Sequence, residues 1–215
     1  MGLCAWVDRR AFPQSVRWSA RLATALGDTT EVIAEGLSAR TATIEHPAAE
    51  GRNGLPCLLP CLHSHAPVDL LVIYLGTNDA PLLGDPLLVA WSVGRLIRVA
   101  RASEAGPDRS APQVLVICPP PFGEHTLGPS FREVCTALEC ELLELEGVAP
   151  FSALDHEHHD EAGHIAVAAV RFGPPLAGYR ALGWARVLSP GKHSHGPVFG
   201  MTPEPCRAGR PAWGR

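Results

Sequence analysis

Six apolar residues in succession, positions 70–75, give the chain its clearest pattern. The run is too short for an ordinary helix and rich in β-branched and aromatic types, so it predicts a strand buried on both faces, as a parallel sheet requires. Gly76 ends the run. Thr77, Asn78 and Asp79 then fall in the crevice beyond the carboxyl end of a strand, where open α/β sheets place their ligands. A plain turn is the competing reading, because Gly and Asn-Asp end strands for purely local reasons.

Three further segments read as strands: 30–34, which is short and β-branched; 113–118, cut off by three prolines; and 141–145, whose Leu and Glu alternate as on a half-buried strand. Helical spacing fills the intervals. Residues 15–27 carry Val16, Leu22, Ala23 and Leu26 on one face, and Gly27 suits the position just past the end. Pro56 opens a helix with Leu55, Leu58, Leu59 and Leu62 together. Asp85 and Pro86 are a good N-cap and first residue for a helix bearing Leu88, Val89, Val93, Leu96, Ile97 and Ala100. A short helix starts at Ser130, and an apolar one runs from Ile165 to about Val170. Strands alternating with helices predict a three-layer α/β domain with a parallel sheet.

Composition narrows this picture. At 215 residues and 46% hydrophobic, the chain suffices for one domain with a core. Periodicity vanishes beyond Phe172, so the expected organisation is a domain over 1–170 and a Gly/Pro/Arg-rich, disordered tail over 171–215. The tail holds seven basic residues against Glu204 alone, so it is +6 and the remainder −10. An acidic body argues against a nucleic-acid enzyme. No stretch reaches the ~18 apolar residues of a membrane span, and the first ten residues lack a signal peptide's charge order, which points to a cytoplasmic protein. Seven cysteines without zinc-type spacing read as reduced thiols.

Candidate chemistry lies in three loops that follow strands: 36–41, 76–79 and 155–158. A histidine three residues after an aspartate, His158 after Asp155, can be a general base oriented by the carboxylate. The Asn78 amide and the free N–H groups of a small-residue loop can hold the charge that builds on a carbonyl oxygen during acyl transfer. A solvated, histidine-rich loop is the alternative for 155–164. Metal binding is disfavoured, since His156, His158, His159 and His164 never give His-Glu-x-x-His.

Gly-x-Asn-Asp after a buried strand, together with Asp-x-x-His late in the domain, resembles the SGNH hydrolases, also called the GDSL esterase/lipase family. The blocks around 32–41, Asn53-Gly54, 75–79 and 114–121 resemble its arylesterase and acyltransferase branch, and the likeness spans roughly residues 6 to 170. It implies a flavodoxin-like order. His158 matches the base, Asp155 its orienting acid, Asn78 the oxyanion-hole side chain and Ala39 the backbone donor of that hole, while Gly36, Gly76 and Arg40 match positions that shape the loops. It also implies small ester or acyl substrates, a covalent acyl-serine, and neither metal nor organic cofactor.

The family's first block, a strand ending in Gly-Asp-Ser, has no counterpart. Matching Trp6 and the segment 16–18 to the stretch downstream of it puts the serine's place at Met1, and Cys4 falls three positions too late to substitute. In the flavodoxin-like order the first strand lies inside the sheet, so four strands are expected, with 30–34 poorly paired. Two functional readings follow: an ester hydrolase lacking its nucleophile in the chain as given, or an inactive remnant that binds an acyl or carbohydrate ligand. An unfilled interior strand would cost much of a domain's ~5 to 15 kcal/mol margin, so an insoluble or molten chain is expected.

Overall fold

The computed structural model describes residues 6–7, 10–28 and 30–170. The expectations for the tail, for Met1 and for Cys4 lie outside the described residues. A two-residue antiparallel hairpin, β1 (Trp6–Val7) with β2 (Arg10–Ala11), comes first in the chain. The main sheet is parallel, with β4 (Gln113–Cys118) between β3 (Leu70–Ile73) and β5 (Glu141–Glu144).

The apolar run of β3 is buried in two directions because successive side chains point to opposite faces. Leu71, Ile73 and Leu75 join Val114 and Val116 against α2 (Leu55–Ser64), α4 (Pro86–Arg101) and α5 (Gly128–Ala137). Leu70, Val72 and Tyr74 join Leu115 and Ile117 against α1 (Trp18–Leu26) and α6 (Glu161–Ala169). Helices on both faces make the three layers that the alternation of elements predicts.

Two expectations need correction. Residues 30–34 form no strand; the segment 31–37 is irregular, so the sheet has three strands among the described residues, not four. A strand is held by a ladder, and in the expected order this segment would pair only with the strand that separates it from β3. Among the described residues no strand lies on that side of β3. The segment 15–27 also divides: a 3₁₀ turn, Gln14–Val16, precedes α1, and the helix begins at Trp18.

Other boundaries follow local chemistry closely. Asp85 caps α4 by accepting the Leu87 N–H at 2.8 Å, with Pro86 in the first turn. Asp160 caps α6 in the same way, accepting from Gly163 N–H at 2.8 Å, so this helix starts four residues before Ile165. Asp79 and Gly84 bracket a short helix, α3 (Ala80–Leu83), that the pattern of residues did not indicate.

Candidate active site

The crevice at the carboxyl end of the sheet is built by three loops. In the first, the chain turns over residues 37–40, with Arg40 N–H donating to the Leu37 carbonyl at 3.2 Å. Ala39 occupies the left-handed region there (φ 58°), an unusual conformation for a residue with a Cβ. Its N–H makes no hydrogen bond among the described residues. Thr41 pairs with Asn53, and Gly54 N–H donates to Thr41 O at 3.0 Å; a Cβ on Gly54 would meet that same oxygen at 3.0 Å. Glycine at 54 is therefore what lets the two halves of the loop close. Gly36 is exposed in the irregular segment before the turn.

The second loop carries Asn78. Gly76 has φ 118°, and a Cβ there would stand 3.1 Å from Phe131 and 3.2 Å from Val89, so only glycine fits between the strand and the helices behind it. Asn78 donates through Nδ2 to the Arg40 carbonyl at 3.0 Å, which seats its amide against the Ala39 turn. Asp79 strengthens the joint. Its buried carboxylate accepts the Ala42 N–H through both oxygens, at 2.8 and 3.1 Å. Burial, opposed by that N–H, pushes the Asp79 carboxyl up to about 6. Thr77 is buried beside it with a hydroxyl that has no partner among the described residues.

The third loop holds the imidazole and carboxylate. His158 Nδ1 lies 2.9 Å from Asp155 Oδ2, and Asp155 Oδ1 accepts the N–H groups of Glu157 and His158, each at 3.0 Å. Burial raises the Asp155 pKa, but the two N–H groups and the imidazole outweigh it, so the carboxyl ends below its usual range. A carboxylate accepting at Nδ1 places the proton there and leaves the Nε2 lone pair available. No hydroxyl or thiol among the described residues hydrogen-bonds to that ring.

Of the residues expected to form the site, the structure joins Asp155 to His158 and Asn78 to the Ala39–Arg40 turn. The link between these halves runs through a residue the sequence did not single out. His159 is buried; its Nδ1 donates to the Pro150 carbonyl at 3.1 Å and its Nε2 accepts from the Tyr74 hydroxyl at 2.7 Å. The carbonyl can only accept, which settles the tautomer. Burial, opposed by the Pro150 carbonyl, brings the His159 pKa down to about 4. His164 is buried as well, accepts the Trp18 N–H at 3.4 Å and is lowered to about 4 by burial and the nearby charges of His159 and Arg21. Neither ring belongs to a solvated loop. The spacing from Asp155 singles out His158, but nothing in the local sequence marks His159 as a buried ring; the only signal was Tyr74 within an otherwise aliphatic run. Among the described residues no three His, Cys, Asp or Glu side chains converge as a metal site.

Several solved structures share this architecture. The aryl esterase of M. smegmatis is 30% identical, with a TM-score of 0.70, over 78% of this chain and 89% of that one. A carbohydrate acetylesterase family member from Sinorhizobium meliloti is also 30% identical, with a TM-score of 0.70, over 78% and 88%. A further carbohydrate acetylesterase from the same organism is 26% identical, again with a TM-score of 0.70, over 78% and 89%. No protein-family model matches the chain, and no curated protein matches it. Fold and neighbours together define an α/β protein of the esterase class. The chain belongs to the SGNH hydrolases, the GDSL esterase/lipase family.

Proposed function

We propose that the crevice is an ester-cleaving centre in which His158 is the general base, Asp155 orients it, and the Asn78 amide with the Ala39 N–H receives the oxyanion. The observation that carries this reading is the His158–Asp155 contact at 2.9 Å, in the loop that His159 ties to the strand leading to Asn78. Small esters or acyl groups are the substrate class, and the chemistry needs no cofactor: a serine attacks the acyl carbon, its proton passes to His158 Nε2, and water then releases the acid. The serine's place falls at Met1, outside the described residues.

The second reading is a site that binds an acyl or carbohydrate ligand without turnover. It is favoured by the lack of any described hydroxyl or thiol on the His158 ring. One experiment separates the two. The chain as given is assayed with p-nitrophenyl acetate beside a version that carries a strand ending in Gly-Asp ahead of Met1→Ser. The expected result is hydrolysis several orders of magnitude faster in the second, with an acyl-enzyme detected by mass, and loss of the gain on His158→Ala. Turnover by the unaltered chain at an ordinary enzymatic rate, or activity that survives His158→Ala, overturns the assignment of roles.

A further inference from the structure

Away from the crevice, where α5 turns into β5, two cysteines are held against each other. The helix ends at Ala137, Glu139 takes a left-handed conformation (φ 48°), and the chain doubles back so that Cys140 N–H donates to the Cys135 carbonyl at 2.8 Å. That bond holds the two Cα atoms about 5 to 6 Å apart, inside the range a disulfide spans. The two thiols also interact with each other, and the Cys140 thiol donates to the Val114 carbonyl at 3.3 Å.

The surroundings of the two thiols differ. Cys135 is 3% exposed and packs in the apolar core, whereas Cys140 is only half-buried just before β5. Arg101 is anchored over the same turn, its guanidinium donating to the carbonyls of Leu138 and, at 2.8 Å, Glu139. A fixed cation on the turn that carries a half-buried cysteine favours the nucleophilic, deprotonated form of its sulfur.

We infer that Cys140 and Cys135 form an oxidation site, in which Cys140 is the sulfur that meets a hydroperoxide and Cys135 resolves it into an intramolecular disulfide. With hydrogen peroxide, the Cys140 thiolate attacks one peroxide oxygen, the O–O bond breaks, and the departing hydroxide takes up the proton that Cys140 released, becoming water. Cys140 is then a sulfenic acid. The Cys135 sulfur attacks it, the S–O bond breaks as the S–S bond forms, and the hydroxyl leaves with the Cys135 proton as a second water. Two thiols are oxidised and one hydroperoxide is reduced by two electrons.

The acid–base properties agree with this division of labour. The hydrogen bond to Cys140 and then burial hold the proton on Cys135. The same hydrogen bond, helped by Arg101, outweighs burial at Cys140 and lowers its thiol. Burial and Glu35 push the half-exposed Cys61 thiol of α2 the other way.

The test uses the full, reduced chain at neutral pH. Under a short pulse of iodoacetamide, mass analysis should find Cys140 alkylated about tenfold faster than Cys61, with Cys135 unlabelled. Arg101→Gln should slow Cys140 without changing Cys57, and urea should erase the difference. One equivalent of hydrogen peroxide should then yield a Cys135–Cys140 cross-link, visible because cleavage after Glu139 separates the two cysteines. Cys135→Ser should stop at a sulfenic acid that dimedone traps on Cys140. The inference is overturned if native Cys140 reacts no faster than Cys61, if its advantage persists in urea, or if peroxide produces Cys57–Cys61 or intermolecular disulfides in place of this one.

Discussion

Tyr74 and His159 are 85 residues apart in the chain and 2.7 Å apart in space, joined by a buried hydrogen bond from the phenol to Nε2. Tyr74 directly follows β3 on the way to Asn78, and His159 follows His158 directly, so this bond ties the imidazole loop to the segment that carries Asn78. Tyr74→Phe removes the donor and strands an imidazole nitrogen in the core. The expected cost is about 1 to 3 kcal/mol in urea unfolding. Faster hydrogen exchange at the His158 amide should accompany it; an unchanged midpoint would refute the tie.

Acid should destabilise the fold through the two buried rings. His159 and His164 titrate near 6.5 when unfolded and at about 4 when folded, so the folded form excludes protons that the unfolded form accepts. Their contribution is complete above pH 6.5 and is lost as pH falls towards and through 4. Asp79 works in the opposite sense. Its folded pKa of about 6 lies above the ordinary 3.8, so its contribution is complete below 3.8 and is lost as pH rises through 6. Two histidines against one aspartate predict a net fall in the urea midpoint between pH 6.5 and 4, and His159→Phe should flatten it.

Asp79→Ala should free the Ala42 N–H and loosen the turn that presents Ala39. A stability loss of about 2 kcal/mol is expected, from a charge-assisted pair of contacts left half unmade. Asp79→Asn retains one acceptor and should lose less. Exchange of the Ala42 amide, read by NMR, reports the difference at the site itself.

Gly76→Ala places a methyl group 3.1 Å from Phe131 and 3.2 Å from Val89 at a φ of 118°. Strain and overpacking together should cost about 2 to 4 kcal/mol. Pairing it with Phe131→Leu should recover the steric part but not the backbone part, which a double-mutant cycle would separate.

Local chemistry made much of this protein legible in its sequence. The six-residue apolar run read as a strand buried on both faces, Asp85 and Pro86 had to start a helix, and three prolines had to end β4, because each effect acts within a few residues. The carboxylate and imidazole of Asp155 and His158 were legible for the same reason, lying within one turn of chain. Tertiary structure decided the rest. Residues 30–34 have strand composition but form no strand, since a ladder needs a neighbour that composition cannot provide. His158 and His159 are adjacent and chemically identical, yet one is partly exposed on a carboxylate and the other is neutral in the core, because only packing brought Tyr74 and Pro150 to the second ring. Asp79 looked like a turn residue until the fold delivered Ala42, 37 positions away, to its carboxylate.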